Sequence, residues 1–479
     1  FMMDVVHITA ECYPAAKAGG LGDVAGALPK YINRLGHRAS VILPHYHTDW
    51  LLKAEIELLY QDRAPFGNSS FAYRVNKVVK PDLGFDLILI DIPTRFDRPG
   101  IYLDPFSGYP YWDEKERFFS FQIAALEWIM NLEKKPDILH VHDHHTGLVP
   151  FMTAHCHRYD SLQNIPTVLT IHNAEYQGRY EMKDAALLPA FDFSKHGLLD
   201  WGGQLNALAT GIKTAWKVTT VSEGYLQELK EYCHGLESLL LQESQKSLGI
   251  INGIDTEVWD PEKDPLLHEN YSLRRYKSGK EKNKKALLKQ FGLQQNRPLI
   301  SFIGRLVREK GADLLPDLIR RCYHENIEVT FLILGTGDPA LHHQFENLQN
   351  EYLGYFDSRL EYNEALAHQI YAGSDFIIMP SRVEPCGLNQ MYAMRYGTIP
   401  IVRKIGGLAD SVVDLSQEDG YGIMFDNFTL EDAVEAIRRA AKLYSSTQEF
   451  NKKRRAVMNL DFSWNTSANN YLDMYRSMT

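Results

Sequence analysis
Two Rossmann-like, doubly wound α/β domains are what the sequence predicts, on three observations. Apolar, β-branched runs alternate with amphipathic stretches through both halves of the chain. A Lys-x-Gly-Gly-Leu turn, KAGGLGDVAG from Lys17 to Gly26, has a near-copy far downstream in KIGGLADS from Lys404 to Ser411. The length, 479 residues, exceeds what one hydrophobic core organises. Two such turns suggest two nucleotide-fold halves facing one site.

Taken in order, the first half carries the runs VVHITA (5–10), ASVILP (39–44), FDLILID (85–91), DILHVHD (137–143), TVLTIHN (167–173) and KVTTVSE (217–223), with a helical pattern from Val24 to Leu35. The second half repeats the grammar with PLISFIGRL (298–306), EVTFLILGTGD (328–338), SDFIIMPS (374–381) and TIPIVRK (398–404). Continuous apolar runs with helices between them imply parallel strands covered on both faces. Ligands then gather at the C-terminal strand ends, where Glu11, Asp143, His172 and Asn173 stand in the first half. A linker is expected near GIINGID (249–255), dividing the chain into domains 1–245 and 246–458. The polar, aromatic segment 459–479 reads as a last helix packing back on the first domain. The lysine-rich stretch Lys277–Lys289 reads as the solvated start of a helix.

Composition narrows the function. An apolar content of 44% is ordinary for a globular chain, and a net charge of -10 argues against a nucleic-acid or anionic-membrane partner. Any anionic ligand must therefore meet a local basic pocket. Five scattered cysteines with no paired spacing give neither a disulfide framework nor a zinc site. They fit a reducing compartment, the cytoplasm or a plastid from whose protein a transit segment has been removed. No apolar run approaches the ~18–20 residues of a membrane span, and the first strand starts too early to leave room for a signal segment.

The turn at Lys17 combines a cation with glycines at a helix start, where Gly19 and Gly20 let backbone amides approach a phosphate. Alone it reads equally as a tight turn. It has neither the spacing of a dinucleotide loop nor that of a P-loop. Arg305 and Lys310, just past a strand end, suit a diphosphate whose charge grows as it leaves; the competing reading is a solvated loop. In MPSRVEPCGLNQ (379–390), Glu384 can hold sugar hydroxyls and the amides of Gly387, Leu388 and Asn389 can cradle phosphate, against a plain helix N-terminal charge. Cys386 reads as a small packed thiol. HVHDHH (140–145) superficially resembles a metal site, but its spacing fits no tetrahedral signature, and Asp143 at the strand end is the better candidate, for an acceptor sugar or for developing positive charge.

Together KAGGLGDV, HDHH, TIHNAEYQG, NGID, GRLVREKG, LGTGD, PSRVEPCGLNQ and KIGGLADSV, in this order from first strand to last helix, resemble the bacterial glycogen synthases and plant starch synthases of glycosyltransferase family five. The resemblance implies the two-domain GT-B fold, with two Rossmann-like domains facing a central cleft. It implies transfer of glucose from ADP-glucose to the non-reducing 4-hydroxyl of an α-1,4-glucan such as glycogen or maltooligosaccharide, with retention and with no metal or cofactor. By position, Arg305 and Lys310 match the diphosphate pair and Glu384 the carboxylate that positions the glucosyl ring. Asp143 and His172 match residues beside the anomeric carbon, and Asn173 a neighbour of the 6-hydroxyl. Donor contacts are implied for Lys17, Gly19, Gly20, Asp23, Asn252, Gly335, Cys386 to Asn389, Gly406 and Gly407, and Tyr362 matches the aromatic that stacks on adenine. The chain departs from the family in Ala18 for the commoner Thr, in His144 for the commoner Trp, which bears on acceptor preference, and from wider retaining transferases in Tyr392 for a second Glu. Other readings are a retaining transferase of sucrose or trehalose type using UDP-glucose, and a glucan-binding protein without activity.

Overall fold
The alternation of buried runs is realised as two large sheets, beside a small three-stranded antiparallel one. A computed structural model describes residues 1–479. The chain divides into a first unit, Phe1–Val221, Leu226–Ile250 and Trp464–Thr479, and a second, Ser222–Tyr225 and Ile251–Ser463.

In the first unit the strands are β1 (Asp4–Ile8), β2 (Arg38–Pro44), β3 (Glu55–Phe66), β4 (Ser69–Lys80), β5 (Asp86–Asp91), β6 (Ile138–His142), β7 (Thr167–Ile171), the short β8 (Arg179–Tyr180), β9 (Asp200–Trp201) and β10 (Gln204–Asn206), then β11 (Lys217–Thr220) and β12 (Ser247–Gly249). The main sheet runs β12-β11-β7-β6-β1-β2-β5-β4-β3. It is parallel from β12 to β5; β1, β6 and β7 are buried along their whole length, as strands covered on both faces must be. The antiparallel hairpin β3–β4 adds an edge that the sequence reading lacks. Its signals are alternation in SSFAYRVNKVV and the Gly67-Asn68 turn, and mostly exposed residues on β3 hide it from a search for apolar runs.

The boundaries differ from those expected. Ser247–Gly249 pairs with β11, which keeps the first unit going to Ile250. Residues 459–463 stay with the second unit because Ile254 N donates to Phe462 O and Ile254 bridges Ser463. The helix Trp464–Arg476 belongs to the first unit, where Trp464, Ala468, Tyr471, Leu472 and Tyr475 pack with Val24, Leu28 and Ile32 of the helix Gly20–Arg34.

In the second unit β13 (Leu299–Ile303), β14 (Thr330–Leu334), β15 (Phe356–Arg359), β16 (Phe376–Met379), β17 (Ile399–Arg403) and β18 (Ile423–Phe425) form a parallel sheet ordered β15-β14-β13-β16-β17-β18. The lysine-rich stretch lies in the helix Tyr276–Phe291 but is not wholly solvated: Lys280 is buried, its ammonium donating to Tyr371 O, Ala372 O and Thr398 Oγ1. Those bonds offset part of the cost of burying a charge. No helix is long and apolar enough to cross a membrane.

Candidate functional site
In the first unit the chain leaves β1 at Ile8 and reaches Glu11, whose carboxylate is buried. Oε1 accepts from Ala18 N at 2.7 Å and Gly19 N at 2.8 Å, and Oε2 from Tyr102 Oη at 2.6 Å. This corrects the role expected of Gly19: its amide already holds a carboxylate from its own chain. Gly20 opens the helix Gly20–Arg34, where an N–H has no intrahelical acceptor, and a Cβ on Gly19 or Gly20 would meet nothing within 4 Å. Lys17 Nζ pairs with Asp23 Oδ1 at 2.9 Å. Both side chains are partly exposed, so the pair contributes at most about 1 kcal/mol and yields readily to a better anion.

Asp143 follows β6 with φ at +57°, a region that side-chain-bearing residues rarely adopt. Its own N–H donates to Thr170 O at 2.9 Å, and its Oδ1 accepts from His172 N at 2.7 Å and Asn173 N at 3.3 Å. Burial outweighs these bonds and pushes the carboxyl up from 3.8 to about 7. The structure thus brings Asp143, His172 and Asn173 together at the ends of β6 and β7. Asn173 is exposed and its Oδ1 accepts from Glu175 N. His144, read from the sequence as an ionisable ring beside Asp143, is buried against Gly178 and pushed down to about 3, a neutral imidazole. His145 stacks on Tyr102 with ring centroids 4.6 Å apart.

In the second unit Arg305 follows β13; it is exposed and has no hydrogen-bond or ion-pair partner. Lys310, in the turn Arg308–Lys310, sends Nζ to both oxygens of buried Glu384 at 2.7 and 2.9 Å. Ser381 Oγ adds a third bond to that carboxylate at 2.9 Å. Arg305 and Lys310 are therefore held differently: one is a free cation, the other is bonded to Glu384. Asn389 Nδ2 donates to Ile303 O at 2.6 Å, tying the EPCGLN loop, with Gly387 and Leu388, to the end of β13. Cys386 is buried and its thiol is pushed up to about 12, so it is a packed group. Asn252 is buried with Oδ1 unpartnered, and Tyr362 is 84% exposed.

The second glycine pair differs from its expected role. Gly407 N donates to Glu384 O at 3.0 Å, and a Cβ on Gly406 or Gly407 would lie 2.0 Å from the carbonyl oxygen of Glu384 or Cys386. Both glycines are buried, so the turn braces the loop that carries Glu384. Gly335 is similar: its N–H donates to Arg359 O at 3.1 Å, and a Cβ would lie 1.9 Å from Gly304 O. Tyr392 stacks on Trp259 at 3.9 Å, which stacks on His368 at 3.7 Å, a packing role where other transferases have a carboxylate. Tyr102 and Ser381 were absent from the sequence reading. Ser381 stands at a strand end, a usable signal; nothing near Tyr102 in sequence points to Glu11.

The sequence model of the starch synthase catalytic domain matches residues 4–242, and that of group 1 glycosyl transferases matches residues 283–457. The chain is 47% identical over 474 residues to a glycogen synthase of Flavobacterium johnsoniae, covering 99% of this chain and 98% of that one. It is 38% identical over 489 residues to a glycogen synthase of Streptococcus sanguinis, covering 99% and 100%. Among solved structures, the catalytic domain of starch synthase IV from Arabidopsis thaliana, bound to ADP and acarbose, matches with a TM-score of 0.85 and 34% identity over 100% of this chain and 99% of that one. A sucrose-phosphate synthase from Thermosynechococcus elongatus matches with a TM-score of 0.61 and 17% identity over 99% of each chain, a likeness of fold.

Proposed function
The chain belongs to the glycogen and starch synthase family, retaining glycosyltransferases of the GT-B fold that extend α-1,4-glucans, and from that premise we propose how its residues divide the work. The donor is ADP-glucose and the acceptor the non-reducing 4-hydroxyl of a glucan such as glycogen or maltooligosaccharide. As the glucosyl–phosphate bond loosens, Arg305 takes up charge developing on the diphosphate. Glu384, held in one pose by Lys310 and Ser381, fixes the glucosyl ring, and Lys310 extends its remaining donor capacity to the leaving group. Asp143 and His172 border the anomeric carbon, with the carboxylate of Asp143 steadying positive charge there. The leaving phosphate oxygen accepts the proton of the attacking hydroxyl on the same face, which retains configuration and needs no protein nucleophile, metal or cofactor. Gly20, Lys17 and Asp23 contribute donor contacts; Asn252 and Tyr362 contribute the unpartnered amide oxygen and the exposed ring. That the related starch synthase was solved with ADP and acarbose supports these substrate classes. Five unpaired cysteines support a reducing, cytoplasmic setting.

The observation that carries this reading is the free, exposed guanidinium of Arg305 on the strand end that also leads to the Lys310–Glu384 pair. Arg305→Ala should lower turnover about a hundredfold, roughly 3 kcal/mol of transition-state stabilisation. The melting temperature should stay put, because Arg305 makes no bond that folding depends on. Near-normal turnover in that variant would sink the assignment.

A further inference from the structure
One face of the first unit's sheet carries a row of imidazoles. Parallel register sets His7 of β1 opposite His140 of β6, and residues two apart on a strand share a face, so His142 lies next along. His7 Nδ1 is 3.0 Å from His142 Nε2, and His142 Nδ1 is 3.0 Å from His172 Nε2. His7 and His142 are fully buried, and His7 Nε2 has no partner. His140 stands outside the row: its Nδ1 meets Tyr475 Oη and its Nε2 meets Thr170 Oγ1, both at 2.6 Å. One ring nitrogen from each of His7, His140 and His142 lies within 4.8 Å of the others, yet all their nitrogens but His7 Nε2 already have hydrogen-bond partners, so His7, His142 and His172 make a hydrogen-bonded chain rather than part of a converging ligand set.

Burial keeps these rings neutral, with His7 and His172 pushed down to about 3 and His142 well below the usual range. A neutral imidazole carries one donor nitrogen and one acceptor nitrogen. If His7 donates from Nδ1, His142 accepts at Nε2, carries its proton on Nδ1 and donates to His172 Nε2. The proton of His172 must then sit on Nδ1. In the opposite sense all three protons sit on Nε2. The three rings thus share one tautomer, and what His172 presents is coupled to His7 two rings away.

We propose that His7, acting through His142, is a positioning residue that fixes the tautomer and ring orientation of His172, and so decides whether Nδ1 of His172 meets the reacting sugar as a donor or as an acceptor. This rests on His172 bordering the anomeric carbon, as proposed above. The row explains why a strand buried on both faces carries imidazoles at these positions: they transmit orientation to a side chain at the strand ends.

Nitrogen-15 spectra of the intact protein labelled at histidine report which ring nitrogen is protonated. Expected are one shared tautomer for His7, His142 and His172, and a changed ratio of Nδ1–H to Nε2–H forms at His172 in His7→Phe, with the His140 tautomer kept by Tyr475 and Thr170. Turnover of His7→Phe should fall on the order of ten- to a hundredfold with KM for ADP-glucose within about twofold, the pattern of a misplaced reacting-centre group. His7→Gln, whose amide supplies both a donor and an acceptor, should recover part of it. Mixed tautomers in the unaltered protein, an observation that needs no variant, overturn the proposal, as does an unmoved His172 signal in folded His7→Phe. Near-normal turnover of His172→Ala would instead fault the placement of His172 at the reaction centre, and the spectra would still decide the row.

Discussion
Gly19 and Gly20 follow β1 and Gly406 and Gly407 follow β17 in nearly the same sequence, yet a Cβ added at the first pair meets nothing within 4 Å and one added at the second lies 2.0 Å from a backbone carbonyl. The first turn leaves open space beside its glycines; the second is shaped around its own loop. The carboxylates divide the same way. In the first unit Glu11 and Asp143 are held by backbone N–H groups, with the Tyr102 hydroxyl added on Glu11 and no cation bonded to either, whereas in the second Glu384 is held by the Lys310 ammonium and the Ser381 hydroxyl. A repeated motif therefore reports a repeated fold position and not a repeated packing.

The largest effect is expected for Gly407→Ala. Its Cβ would strike Cys386 O, and the loop bearing Glu384 must move, so we expect a loss of about 4 kcal/mol of stability in the second unit together with loss of measurable turnover. Calorimetry and a turnover assay check it, and an ordinary melting temperature with activity would show the two turns to be alike. Next comes the charge of Asp143. With its carboxyl at about 7, the group is mostly protonated at pH 6 and mostly ionised at pH 8, so kcat/KM should rise roughly tenfold across that interval if the carboxylate is the working form. Asp143→Asn should flatten that limb. The sign for stability is opposite: a carboxyl raised from 3.8 binds its proton more tightly in the folded chain, so its contribution falls as pH rises from about 4 to about 7. The smallest effect is expected for Gly20→Ala. A methyl there projects into open space at a helix start, so stability should hold or rise, while KM for ADP-glucose rises by up to about fivefold, or 1 kcal/mol. Unchanged KM would leave the first turn without a ligand role.

Much of the fold is legible in the residues alone. The parallel strands could be read because burial on both faces demands unbroken apolar runs, and Arg305, Lys310, Glu384, Asp143 and His172 all fall just past such runs. What the sequence hid is what depends on distant partners. KIGGL looks like KAGGL because nothing local shows that Glu384 and Cys386 carbonyls pack onto it. The bond from Gly19 to Glu11 needs a chain reversal, and Tyr102 reaches the same carboxylate from far along the chain. His7, His142 and His172 become neighbours only through the strand order β1-β6-β7. The edge strand β3 escaped because its residues face solvent and give no apolar run.

Extension of an α-1,4-glucan from ADP-glucose can be observed outright. Incubating the purified protein with maltooligosaccharide and either ADP-glucose or UDP-glucose, then sizing the products and measuring released nucleotide, tests it most directly. Stepwise growth at the non-reducing end from ADP-glucose is expected, with one ADP released per glucose added. Faster growth from UDP-glucose, or nucleotide release without chain growth, would contradict it.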